Sequence, residues 1–130
     1  MIVLDASAVL EWLLRTDRGL RVEAEIFSRA NTLHAPHLLD VEIAHALRRY
    51  TRDREVTEAR AQELLQTFAG LRIMRHRHVS LLTRLWELRH NLTAYDAIYI
   101  ALAEALNAPF LTCDAKIAAA PGHHATVQLI

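Results

Sequence analysis

The chain has 130 residues, 52% of them hydrophobic, and its 15 basic and 15 acidic side chains cancel. That length suits a single domain, residues 1–130, with enough apolar content for a core that needs no staples, and it excludes a disordered or fibrous chain. With a pI near 7.1, any nucleic-acid surface has to be a local patch rather than a property of the whole molecule.

The opening Met1-Ile2-Val3-Leu4-Asp5 has no basic leader and only a short apolar run, unlike a signal peptide. No stretch is long and apolar enough to span a bilayer, so no membrane partner is expected. Cys113 is the only cysteine, which rules out an internal disulfide and fits a cytoplasmic location. Lys116 is the only lysine; the remaining basic residues are arginines, whose planar fork suits bidentate phosphate contacts.

Ile2 to Leu4 predicts a short strand closed by Asp5, and Ser7 is placed to cap a helix running through Glu11, Trp12 and Leu14. A second helix is expected from Gly19 to Ala30, and a short strand from Thr32 to Ala35 stopped by Pro36. Helical periodicity then covers His37 to Arg52. Thr57 caps a helix from Glu58 to Ala69, Leu71 to Met74 forms a strand, and Ser80 to Arg89 forms another helix. Thr93 caps a helix that runs to Leu106 and stops at Asn107. A strand from Pro109 to Thr112, a short Ala-rich helix after Asp114 and a strand from Thr126 to Ile130 complete the chain. Strands alternating with helices predict parallel pairing through crossover helices, hence an α/β fold of three layers, α/β/α, with a mainly parallel central sheet. Ligands of such folds bind beyond the carboxyl ends of the strands, where Asp5 and Asp114 both fall.

Four carboxylates stand out, and each has an ordinary structural reading. Asp96 lies three residues after Thr93, as in a capping box, where the helix dipole favours an acid. Its place on the helical wheel, between Ala103 and Ile100, nonetheless belongs to a face expected to be buried. Glu42 projects between Leu38 and Ala46 at the edge of an apolar arc, while Asp40, His45 and Arg48 point elsewhere; a solvated acid paired with Arg49 is the plain alternative. Asp5 can serve a turn and Asp114 can cap a helix. Brought together at one edge of a parallel sheet, the four would repel strongly until some took up protons or a cation bound. Hard oxygen ligands favour Mg2+ or Mn2+ over zinc. Such a pocket suits two-metal phosphodiester hydrolysis, with Ser7 and Thr112 near enough to orient waters or ligands, beside their everyday roles at a cap and a strand end.

The segments V-L-D-A-S-A, E-I-A-H-A-L-R-R, L-T-A-Y-D-A-I-Y-I-A-L-A-E-A-L and F-L-T-C-D, in that order over essentially the whole chain, resemble the PIN-domain ribonucleases, specifically the VapC-type toxins of type II toxin–antitoxin systems. The resemblance implies that Asp5, Glu42, Asp96 and Asp114 are the catalytic, metal-binding quartet for Mg2+ or Mn2+, and that Ser7 and Thr112 are the hydroxyl residues accompanying it. It implies a metal-dependent endoribonuclease in which water attacks in line, Asp5, Asp96 and Asp114 being the principal ligands and Glu42 holding a second ion or orienting the water. It also implies a homodimer and a groove for a VapB-type antitoxin. The pattern departs at His45, where relatives often carry Asn; an imidazole there adds a titratable group beside the glutamate helix.

Arg48, Arg49 and Arg52 are the candidate RNA contacts, with Arg54 following them and Arg72, Arg75 and Arg77 around a later strand; a solvated helix end explains each cluster equally well. His76 with His78, and His123 with His124, lack the third ligand a soft-metal site needs. Trp12, Leu13, Leu14, Ile26 and Phe27 give the first two helices more apolar surface than one covered face requires. Trp86 and Cys113 are assigned to packing. Two other classes are compatible with the pattern. A catalytically idle PIN-like binding module would be expected to have lost one of the acids, and a phosphotransfer or phosphatase domain would want an acid where Ser7 stands.

Overall fold

The computed structural model describes residues 1–130. Its elements are β1 (Ile2–Leu4), α1 (Ala6–Leu13), α2 (Asp17–Ile26), β2 (Leu33–Pro36), α3 (Leu38–Arg52), α4 (Glu58–Gly70), β3 (Ile73–His76), a 3-10 turn (Val79–Leu81), α5 (Leu82–Glu87), α6 (Ala94–Leu106), β4 (Phe110–Thr112), α7 (Ala115–Ala119) and β5 (Val127–Leu129). Three helices begin where a threonine hydroxyl accepts a backbone N–H three residues on: Thr16 for α2, Thr57 for α4 and Thr93 for α6. Asn107 ends α6 in the left-handed conformation, at φ 48°.

The strands form one fully parallel sheet in the order β3-β2-β1-β4-β5. The chain leaves β1 toward β2 and β3 on one side and later returns to β4 and β5 on the other. The crevice between the carboxyl ends of β1 and β4 is therefore the point where the topology switches direction. Tyr99 of α6 stacks on Phe110 of β4, which seats this helix on one face of the sheet. Helices α1 to α4 pack on one another, with α1 meeting β4 and α3 meeting β2. Between these layers lies a core of 31 buried residues, including Val3, Leu4, Val9, Leu39, Ile43, Ile100 and Leu111. Gly19 lets α2 approach α1 closely, since a Cβ there would lie 2.0 Å from the Glu11 carbonyl oxygen.

Several boundaries depart from the expected ones. Helix α2 ends at Ile26 because Asn31 turns back, its side-chain amide donating to the Glu25 carbonyl and its N–H to that of Ser28. Strand β3 lies two residues later than expected, since it pairs along all of β2 from Leu33↔Ile73 to Pro36↔His76. Pro36 closes β2 from inside the strand rather than preventing it. The expected helix over Ser80 to Arg89 divides into the 3-10 turn and α5.

Among the buried strand residues, His34 is the one imidazole, and both of its ring nitrogens are engaged: one with the Thr32 hydroxyl at 2.9 Å, the other with His76 at 2.9 Å. Burial, with the neighbouring His76, holds its pKa below the usual histidine value. His78 accepts the Leu38 N–H. These two later histidines are thus occupied in joining β2, β3 and the start of α3.

Candidate active site

Asp5 stands at the carboxyl end of β1 and caps α1. Its Oδ1 accepts the Ser7 hydroxyl at 2.6 Å and the Ala8 N–H at 3.0 Å, while Oδ2 accepts the Thr112 hydroxyl at 2.5 Å. Ser7 was expected to cap the helix. Asp5 does so instead, because its carboxylate leads directly out of the strand and makes a charge-assisted bond to the N–H three residues on. Ser7 and Thr112 then tie the two strand ends together: Ser7 Oγ accepts the Cys113 N–H at 2.9 Å, and Thr112 Oγ1 accepts the Asp114 N–H at 3.0 Å. Both hydroxyl residues thus hold Asp5, and they also orient the segment that carries Asp114.

Asp114 follows β4 and caps α7, accepting the Lys116 N–H at 2.8 Å. Asp96 sits in the first turn of α6, where Thr93 accepts its backbone N–H at 3.2 Å. Its carboxylate makes no reciprocal bond to the Thr93 N–H, so only half of a capping box exists. Glu42 lies in the second turn of α3, half-buried, and is not paired with Arg49. Its Oε2 instead accepts the hydroxyl of Tyr99 at 2.5 Å.

The four carboxylates form a ring of mutual repulsion. Asp114 acts on Asp5 and on Asp96, and Glu42 is acted on by both Asp5 and Asp96. Desolvation by burial is the main cause that lifts Asp5, Glu42 and Asp96 above their ordinary carboxylate values, and this repulsion adds to it. Donated hydrogen bonds oppose the rise without cancelling it. No arginine, lysine or histidine forms an ion pair with any of the four, although Glu11, Glu23, Asp40 and Glu104 each have an arginine partner. A cluster of acids raised in this way, with no cation from the chain, has the chemistry of a hard-cation site. The ring is open rather than a tight cage, since no three His, Cys, Asp or Glu side chains are gathered closely enough to enclose an ion by themselves. Waters and substrate oxygens would have to complete the coordination of a Mg2+-like ion, as such ions prefer.

The candidate RNA contacts separate. Arg49 lines a cavity of about 480 Å3 that includes Glu42, Leu10, Leu38, Val41 and Tyr95. His45, expected to point elsewhere, lines the same cavity because it lies one turn beyond Glu42. Arg48 lies on the other flank of α3, in a groove with Glu58 of α4, and Arg52 is bound to Asp53 at 2.9 Å. Only Arg49 of the three lines the cavity that holds one of the acids. Trp86 is 65% exposed with the Arg89 guanidinium 4.9 Å above its ring, so it does not belong to the core as expected; Leu85 of that short helix and Leu88 just after it pack inward instead. Burial pushes the Cys113 thiol up to about 11, in keeping with a packed, unreactive side chain. Tyr99 was hidden inside an apolar run. The available signal was that a buried tyrosine hydroxyl needs a partner.

A switch-point crevice holding four acids is the arrangement expected of a PIN domain, and the chain belongs to that family, whose model matches residues 2–122. Among curated relatives it is 44% identical to Ribonuclease VapC9 of Mycobacterium tuberculosis over 117 residues, covering 90% of this chain and 88% of that protein. It is 40% identical to Ribonuclease VapC1 of the same organism over 129 residues, covering 98% and 96%. The fold is also that of a chain in the crystal structure of VapBC2 from Rickettsia felis bound to a DNA fragment from their promoter, with a TM-score of 0.73 at 16% identity over 99% of this chain and 98% of that one.

Proposed function

We propose that this protein is a metal-dependent endoribonuclease, an RNA-hydrolysing toxin that a VapB-type antitoxin holds in check. The observation that carries the reading is the group of Asp5, Glu42, Asp96 and Asp114, left without a cation from the chain, in which burial, with repulsion added, raises Asp5, Glu42 and Asp96. The identity to ribonucleases of the VapC group supports the RNA substrate, and the likeness to a VapBC2 chain agrees with an antitoxin partner.

These four residues would hold Mg2+ or Mn2+, and such an ion, when bound, polarises a phosphoryl oxygen and lowers the pKa of a coordinated water. The chain's own groups do the rest. Asp5, fixed by Ser7, Ala8 and Thr112, keeps its carboxylate in one orientation at the crevice floor. Asp114 repels Asp96, and the negative charge of the pair disfavours a further anion until positive charge is present. Glu42, engaged through Oε2 only, has Oε1 available to orient a water or accept its proton. Arg49, on the wall of the adjoining cavity, is placed to take a substrate phosphate. A phosphoryl-aspartate route is disfavoured, because both oxygens of Asp5 are already bonded.

Exposed Leu14, Leu20 and Phe27 on α1, α2 and the turn after it, together with Val79, Leu82 and Trp86 around α5, offer apolar surface for the antitoxin and a second copy of the chain. No helix is long and apolar enough to cross a membrane. We place the activity in the cytoplasm, where RNA is the accessible substrate. The test is to incubate the purified protein with total cellular RNA, with and without Mg2+ or Mn2+, and map new ends by sequencing. Discrete ends that need the ion and vanish in Asp5→Asn are expected; cleavage that persists in chelator or in Asp5→Asn contradicts the proposal.

A further inference from the structure

Every residue of α6 from Ala97 to Ala103 is at most 2% exposed, and Tyr99 carries the only side-chain polar atom among them. Packing alone would be served by phenylalanine. The Tyr99 ring is stacked on Phe110 at 6.1 Å between centroids, and Phe110 is itself fully buried on β4, so the hydroxyl cannot swing. That hydroxyl ends on Glu42 Oε2 at 2.5 Å, 57 residues away in the chain. It also lies one turn along α6 from Asp96, on the same face of the helix. The bond therefore ties together the two helices that supply Glu42 and Asp96.

We propose that Tyr99 is a positioning residue for Glu42: it holds Oε2 and so presents Oε1 to the acid ring in one orientation. The inference rests on the cation-site reading above and goes a step further, naming a group that would not itself touch the ion. A phenol O–H facing a carboxylate oxygen can only donate to it. Asp5 is served in the same way by Ser7 and Thr112. Thus one acid at a strand end and one on a helix are each anchored by hydroxyls, whereas the Asp114 carboxylate is held by the Lys116 N–H. Groups that orient ligands in this way usually contribute about 10- to 100-fold to metal affinity or activity.

The experiment is a cycle of four proteins: the natural chain, Tyr99→Phe, Glu42→Gln and the double variant. Mn2+ affinity is measured by calorimetry, thermal melting reports the fold, and RNA cleavage is measured in parallel. Tyr99→Phe keeps the stacked ring and should melt normally, yet bind Mn2+ about 10- to 100-fold more weakly. In the Glu42→Gln background the same substitution should change Mn2+ affinity little, because the oriented carboxylate is already gone. If the natural chain binds Mn2+ and Tyr99→Phe binds it equally well, the positioning role is overturned and the cation site survives. An equal loss in both backgrounds also overturns the role, by showing that the hydroxyl acts other than through Glu42. A natural chain that takes up no Mn2+ overturns the cation site and the role together.

Discussion

Helix α6 carries an acid near each end, and the two are treated in opposite ways. Glu104, in its last turn, receives Arg84 through two bonds at 2.6 and 3.1 Å and the His124 N–H at 2.7 Å, and Arg84 continues to the Gly122 carbonyl. The Arg84 bonds hold Glu104 below its ordinary carboxylate value. Asp96, in the first turn, has no cation, and burial holds it above. The far end is complete within the chain and fastens the C-terminal segment to α5 and α6. The near end is incomplete, which is what distinguishes a site from a brace.

Substitution should separate the two ends first by activity. Asp96→Asn is expected to reduce metal-dependent RNA cleavage by on the order of 100-fold or more, beyond what loss of an orienting group costs. Glu104→Gln should cleave normally per folded molecule. Equal losses in the two variants would erase the distinction.

Added ion sharpens the same contrast. At about 100 times its dissociation constant, Mn2+ should stabilise the natural chain by about 2.7 kcal/mol, read as a higher melting temperature, and should leave Asp96→Asn nearly unmoved. In urea unfolding without metal, Glu104→Gln should lose about 2 kcal/mol, since it breaks charge-assisted bonds at a partly buried acid. Asp96→Asn should gain about 1 kcal/mol, because it removes a repelled, desolvated charge.

The pH dependence of that last difference has a definite sign. The folded-state pKa of Asp96 lies above 3.8, so its ionised form costs stability, fully at pH above the raised value and not at all well below 3.8. The advantage of Asp96→Asn over the natural chain should therefore shrink as pH falls through that interval. For Glu104, lowered from 4.5, the stabilisation is present above 4.5 and is lost as pH falls through the lower folded value. Urea midpoints for the metal-free variants across acidic pH check both; an Asp96→Asn advantage that grows on acidification contradicts the assignment.

Much of the near end was legible in the sequence because it rests on local rules. Parallel strands place Asp5 and Asp114 at one edge, Thr93 starts α6, and the helical wheel turns Asp96 toward a buried face. The far end was not legible. Arg84 and Glu104 meet across 20 residues and two helices, and nothing in their spacing indicates it. Tyr99 was lost for a similar reason: its hydroxyl matters only once α3 lies alongside, and in the sequence it is one more apolar position. Ser7 looked like a helix cap because serine is a good one, but the preceding aspartate competes for that place at the strand end. Trp86 was assigned to the core on size, while Leu85 of this six-residue helix and Leu88 just past its end are the residues that pack inward.

Anomalous diffraction from crystals soaked in Mn2+ would locate the ion without reference to turnover. A peak in the open crevice bordered by Asp5, Glu42, Asp96 and Asp114, absent from Asp96→Asn crystals and never found beside Glu104, is the predicted result. Saturating Mn2+ with no density among those four side chains, or density unaltered by the substitution, would contradict the account.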